Sequence, residues 1–209
     1  MGTTFTVTSS GIGFEFFLFC INMLRNWTCL NWTCLNWPIV FSSKEVEIAF
    51  KQNSRKVIIA AHTFPFIDGL ILHNALVHLE TPHKIYTKGL FGLGPKWCEE
   101  VSNGGFVNRE INKLKTLPQY CRGIFPSGGT VKWKTGFYNI ARETNATVFL
   151  FGIDYKSTQI VVDCAFDPLK CNFHQIKGES TLRLRRFSPG PLYIPLWILF
   201  GYGDECYCY

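Results

Sequence analysis

Charge is scarce in this sequence. Only 17% of its 209 residues are Asp, Glu, Lys or Arg, where an ordinary soluble domain carries about a quarter. Hydrophobic residues make up 47% and aromatics 16%, with Phe alone contributing 19. Such a balance excludes an intrinsically disordered chain and puts the apolar excess into a core or against lipid. The net charge of +6 comes without any basic run, which excludes a nucleic-acid stripe. It leaves a mild preference for anionic partners such as phosphorylated substrates or acidic lipid.

Other absences narrow the field further. The nine Cys include no pair of C-x-x-C motifs, so a zinc site is not indicated and free thiols in a reducing compartment are the simpler reading. No apolar run reaches the roughly 20 residues of a spanning helix. Gly11–Leu24 is interrupted by Glu15 and Asn22, and Pro191–Gly203 is broken by Pro195. Both suit core segments or segments dipping into the headgroup region, with Tyr193, Trp197 and Tyr202 as interfacial anchors. No basic region precedes the first run, which argues against a standard signal peptide. There is no Gly-Lys-Ser/Thr sequence, which excludes a nucleotide P-loop. Pro126-Ser127-Gly128-Gly129 lacks the nucleophile-elbow pattern of a serine hydrolase.

What is present becomes orderly from Lys44 onward, after a local duplication, NWTCL-NWTCL-NW, at Asn26–Trp37. Its period of five matches neither helix nor strand and encodes no regular face. Val57–Ala61 is an unbroken apolar run fit for a buried strand. Asp68–Leu79 has helical apolar spacing, with Asp68 as N-cap or first-turn residue. Strands are expected at Lys84–Thr87, Gly105–Val107, Gly123–Phe125, Ala146–Ile153 and Gln159–Val162, the last pairing with the one before it. Helices are expected at Pro95–Val101, Glu110–Leu117 and Gly136–Glu143, the last with Thr135 as N-cap. Strands alternating with helices predict a single α/β domain whose largely parallel central sheet is flanked by helices. Ligands of such sheets gather at the carboxyl ends of the strands.

Three elements at such ends carry chemistry. His62 follows a buried strand and precedes Asp68; an imidazole removes a hydroxyl proton near neutral pH, and a carboxylate fixes its tautomer. Asn103-Gly104-Gly105 brings backbone close to a ligand, and Arg109 adds a donor fork suited to phosphate. Finally, Ile124-Phe125-Pro126-Ser127-Gly128-Gly129-Thr130 runs from a strand into a glycine turn, then past Lys132 and Lys134 to a helix start. Exposed amides, lysines and a helix N-terminus make an anion site.

In this order the three elements resemble the glycerolipid acyltransferases of the 1-acylglycerol-3-phosphate acyltransferase family. That family has a His and an Asp separated by four residues, then Gly-Gly-x-x-x-Arg, then Phe-Pro-Glu-Gly-Thr-Arg and an apolar strand. One bacterial-type branch continues with Trp-Lys-Thr-Gly-Phe-Tyr-x-Ile-Ala and a strand ending in Asp-Tyr. Here Trp133–Ala141 reads WKTGFYNIA and Gly152-Ile153-Asp154-Tyr155 closes the next strand. The resemblance spans Val57 to Tyr155. Its departures are five residues between His62 and Asp68, Asn108 before Arg109, Ser127 in place of Glu, and an extra Gly that shifts Thr130 and leaves Val131 in place of Arg.

The resemblance implies an acyltransferase-like α/β domain at 44–209, preceded by an apolar interfacial or packing segment at 1–43. It implies transfer of a fatty acyl group from an acyl-CoA or acyl carrier protein thioester to the hydroxyl of a lysophospholipid or related amphiphile. His62 would be the base and Asp68 its orienting partner. Arg109, Ser127, Gly128, Gly129, Thr130, Lys132 and Lys134 would hold substrate, with backbone amides near Gly128 and Gly129 facing the oxyanion. Neither a metal nor another cofactor is expected beyond the thioester co-substrate. The partners implied are the acyl donor, the lysophospholipid acceptor and a membrane surface, at the cytoplasmic face, and not nucleic acid. The altered polar block leaves a second reading, a catalytically impaired relative that binds acyl chains or membrane.

Overall fold

Val57, Ile58, Ile59 and Ala60 expose between 0% and 1% of their surface, because the strand they form is paired on both edges and covered on both faces. It belongs to a computed structural model that describes residues 37–61, 65–87, 96–101, 105–127 and 132–187. Gly11–Leu24, the NWTCL duplication up to Asn36, and Pro191–Gly203 lie outside the described residues. Among those described, no helix is long and apolar enough to cross a membrane.

In chain order the elements are β1 (Ile39–Phe41), α1 (Lys44–Gln52), β2 (Arg55–Ala60), α2 (Pro65–His78), β3 (Lys84–Thr87) and β4 (Cys98–Glu100). They continue with α3 (Phe106–Lys115), β5 (Tyr120–Ile124), α4 (Gly136–Glu143), β6 (Thr147–Asp154), β7 (Gln159–Phe166) and α5 (Phe173–Leu184). The strands form a sheet of order β1-β7-β6-β2-β5-β3-β4. Every neighbouring pair is parallel except β6 with β7. The predicted α/β domain with a largely parallel sheet is therefore what the chain forms.

Successive strand residues point to opposite faces, and the core divides accordingly. Val57, Ile59, Val148 and Leu150 pack in one cluster with Ile111 and Leu114 of α3, Phe137 and Ile140 of α4, and Ile176 and Leu184 of α5. On the other face Phe50 of α1 meets Phe149 and Phe151, at ring-centroid distances of 5.0 and 6.0 Å. A close approach on β6 requires glycine: a Cβ at Gly152 would lie 2.2 Å from the Phe187 ring.

Two expected elements are different. Pro95–Val101, expected as a helix, contains β4, which among the described residues is an edge strand paired only with β3. Three residues are too few to show a period of two, and the paired acids Glu99 and Glu100 are a charged edge of the kind that discourages further strand addition. Gly105–Val107, expected as a strand, is instead the start of α3. Gly105 adopts φ +68° at the N-cap, and Glu110, Ile111 and Leu114 then form the buried face. The short β1, α1 and α5 had no sequence expectation. α5 begins with a reciprocal cap between Asn172 and Gln175.

Arg122 of β5 and Glu110 of α3 form a buried ion pair, 5% and 3% exposed. Arg122 Nε donates to Glu110 Oε1 and to the Tyr86 hydroxyl, both at 3.1 Å, while Lys113 Nζ lies 3.5 Å from Glu110 Oε2. Burial alone would raise the Glu110 pKa; hydrogen bonds from Tyr86 and Arg122, with the charges of Lys113 and Arg122, outweigh it and hold the carboxyl below its usual range. Arg122→Leu should cost about 3–5 kcal/mol, since it leaves that carboxylate buried without its cation. The double variant Arg122→Leu/Glu110→Leu should lose much less. Urea unfolding of the two proteins measures the difference.

The far end of α2 is held by a histidine pair. His83 Nδ1 donates to the Thr81 carbonyl at 2.7 Å, which leaves its Nε2 to accept from His73 Nδ1 at 2.8 Å. His73 also stacks on Trp97, at 4.4 Å between centroids. Burial, and then the neighbouring His83, depress the His73 pKa from 6.5 to about 4. The unfolded chain therefore takes up the proton first. Stability should fall as pH drops from 6.5 to about 4 and lose no more from this group below that. In urea titrations across that window, His73→Gln should flatten the slope.

Candidate active site

Asp68 is fully buried, at 0% exposure, in the first turn of α2. Proline at the first helical position pre-sets the backbone angle there, and the helix starts where Pro65 follows the carboxyl end of β2. Behind Asp68 the helix buries Ile71, Leu72, Ala75 and Leu76, which fixes the carboxylate against the sheet edge.

The partner that the structure gives Asp68 is Tyr155, whose hydroxyl donates to Oδ1. Tyr155 leaves the end of β6, the parallel neighbour of β2 (Ile59↔Leu150, Ala60↔Phe151). Its direction is set by the turn into β7. Asp154 Oδ1 accepts from the Lys156 amide at 3.0 Å, and Oδ2 accepts from the Ser157 hydroxyl at 2.5 Å. The edge of the Trp37 ring also meets Tyr155, with centroids 5.4 Å apart at 84°. No role was expected for Tyr155. The signal available was Asp154-Tyr155 at a strand end, where Asp makes a turn and the next side chain is aimed.

On the other side of β2, β5 ends at Ile124 and delivers Ser127, 6% exposed. The loop is closed by Lys134 N donating to Pro126 O at 3.0 Å. Lys132 and Lys134 are exposed beyond it. Thr135 stands at the N-cap of α4 but makes no side-chain capping bond. The WKTGFYNIA stretch is read here as packing: Trp133 meets Phe137 at 6.0 Å, and Phe137, Ile140 and Ala141 are buried.

Farther along the sheet, β4 leads to α3, and Arg109 lies in its first turn, exposed. A Cβ on Gly105 would lie 3.6 Å from Arg109 Nη1, so the guanidinium folds back over the helix start. It lines a groove of about 300 Å³ with Glu99, Glu100, Phe106, Glu110 and Lys113.

Asp68, Tyr155, Ser127 and Arg109 thus follow the carboxyl ends of β2, β6, β5 and β4. The first two are in direct contact. Three strand steps separate β2 from β4, roughly 14 Å at the usual inter-strand spacing, so Arg109 and Asp68 lie at different parts of this edge. His62, Gly128, Gly129 and Thr130 lie outside the described residues. No group of three or more His, Cys, Asp or Glu able to hold a metal occurs among the described residues.

No family model matches the sequence, and no curated protein matches it. A solved structure does: the crystal structure of the 1-acyl-sn-glycerophosphate (LPA) acyltransferase PlsC from Thermotoga maritima. The TM-score is 0.51 at 13% identity, covering 73% of this chain and 71% of that one. The two chains share a fold.

Hydrogen bonds to charged groups contribute about 1.5–3 kcal/mol. Removing the Tyr155 hydroxyl with Tyr155→Phe should therefore lower any turnover that depends on Asp68 by roughly 10- to 100-fold. The melting temperature should fall as well, by roughly 3–12 °C, at about 2–4 °C per kcal/mol for a chain of this size. A single-turnover assay beside a thermal melt checks both halves.

Proposed function

We propose that this protein is an acyltransferase that moves a fatty acyl group from a thioester donor, acyl-CoA or acyl carrier protein, to the hydroxyl of a lysophospholipid-type acceptor at a membrane surface. The observation that carries the reading is the buried carboxylate of Asp68, held by Tyr155 at the carboxyl edge of a sheet whose fold is also that of a 1-acyl-sn-glycerophosphate acyltransferase. A carboxylate fixed in this way orients and charge-balances a base, and the sequence supplies His62 six positions earlier.

In the proposed reaction His62 removes the acceptor hydroxyl proton as the oxygen attacks the thioester carbonyl. Asp68 stabilises the imidazolium that forms. The tetrahedral oxyanion is received by backbone amides near Gly128 and Gly129. It then collapses, the C–S bond breaks, and the thiolate takes the proton back from His62. Arg109, with Lys132 or Lys134, holds acceptor phosphate, and Ser127 and Thr130 complete the substrate contacts. No metal and no acyl-enzyme are needed. An amphiphilic acceptor places the protein at a membrane, at its cytoplasmic face.

The test is thioester consumption with a panel of lysophospholipids. His62→Ala should lower the rate by about 10²- to 10⁴-fold, the usual range for a general base. Equal rates in the two proteins would sink the proposal in favour of a protein that binds acyl chains or membrane without catalysis.

A further inference from the structure

We infer that the outward face of α5 is the surface by which this protein meets lipid, and that it takes a bilayer bearing anionic headgroups. This rests on the reading above, which puts the protein at a membrane, and names the face that touches it.

α5 buries Ile176, Ser180 and Leu184, so its opposite side faces away from the protein. Residues three and four apart on a helix are neighbours, which sets Gly178, Leu182, Arg185 and Arg186 in one outward row. Among the described residues nothing covers that row. A Cβ at Gly178 would meet nothing within 4 Å outside the local helix backbone. Leu182 is 60% exposed, and both arginines are exposed.

The charge of this row is not balanced within the fold. Glu179, the one acid of α5, accepts from Arg183 Nε at 2.7 Å, and Arg183 Nη1 donates to Asp163 at 3.3 Å. Arg185 and Arg186 are left with no acidic partner among the described residues. An open leucine with guanidinium groups beside it is the pattern of an interfacial helix. The apolar side chain enters the headgroup boundary while the cations stay with anionic headgroups. A second copy of this face would set like charges against each other. The chain's own apolar run, Pro191–Gly203, contains no acid to complement them. An anionic bilayer offers both an apolar layer for Leu182 and negative charge for the arginines.

The row also ends beside the candidate site. β7 returns antiparallel to β6, so α5 starts at the amino edge of the sheet and its last turn approaches the carboxyl edge. Phe187, just past that turn, lies over Gly152, where a Cβ would sit 2.2 Å from the ring. Tyr155 follows three residues later, roughly 10 Å along an extended chain. Docking by this end of α5 therefore sets lipid beside the edge that carries Asp68 and Tyr155.

Flotation of the full chain tests this with two vesicle types. One is phosphatidylcholine alone; the other is two parts phosphatidylcholine to one part phosphatidylglycerol. Binding to the anionic vesicles should be about 10-fold tighter or more, and should weaken with salt. Arg185→Gln/Arg186→Gln should lose about 30-fold there, as two cations near such a surface allow, and Arg185→Lys/Arg186→Lys should keep nearly all of it. Leu182→Ala should lose roughly 10-fold. Both arginine variants should melt where the unsubstituted protein does, since exposed positions carry little stability. Equal binding to both vesicle types, or no binding to either, would overturn the inference. So would a glutamine variant that binds undiminished, a lysine variant that fails as the glutamine one does, or a dimer that Leu182→Asp disperses. Acyl transfer to a short-chain lysophospholipid, dissolved below its micelle concentration, is assayed alongside without vesicles. Its absence from every protein overturns the acyltransferase reading alone. Its presence, with vesicle binding indifferent to the arginines, overturns this inference alone.

Discussion

The pairing of β2 on both edges sets the position of nearly everything else. A parallel strand lying between two others forces each connection to cross a face of the sheet. The chain obeys by placing α2 after β2 and α4 between β5 and β6. Because β2, β5 and β6 run the same way, their following loops emerge at one edge. Residues far apart in sequence are brought together there by backbone hydrogen bonding, before any polar contact among them forms.

At that edge the polar groups divide by depth. Asp68 and Ser127 are withdrawn from water, whereas Arg109, Lys132 and Lys134 are open to it. A buried acid bonded to a phenol keeps one geometry, whereas a long cationic side chain in water has more rotamers open to it. Precision thus sits near β2, and tolerance lies toward β4 and the turn after β5.

The sequence disclosed the long apolar strands and the amphipathic α4 because each carries enough residues to show a period or a run. Val57–Ala61 and Gly136–Glu143 were readable for that reason. β4 was not, since three residues are too few to show a period and two of them are acids. Gly105–Val107 looked like a strand because Phe and Val favour one. The left-handed turn at Gly105 is a tertiary choice that local propensity does not reveal. In the site, Asp68 was visible from its place at a helix start. Its bond to Tyr155 was not, because which strand lies beside β2 is a property of the whole sheet. The Glu110–Arg122 pair was hidden likewise, as neither residue type suggests burial.

Asp68 and Tyr155 stand 87 positions apart, and the antiparallel turn that aims Tyr155 closes only once β6 and β7 have met. Long loops must be closed before contacts of such separation form, which makes them late and slow. A nascent or partly collapsed chain can therefore bury β2 and still lack a finished carboxylate site. The finished contact then reports completion of the sheet rather than compaction.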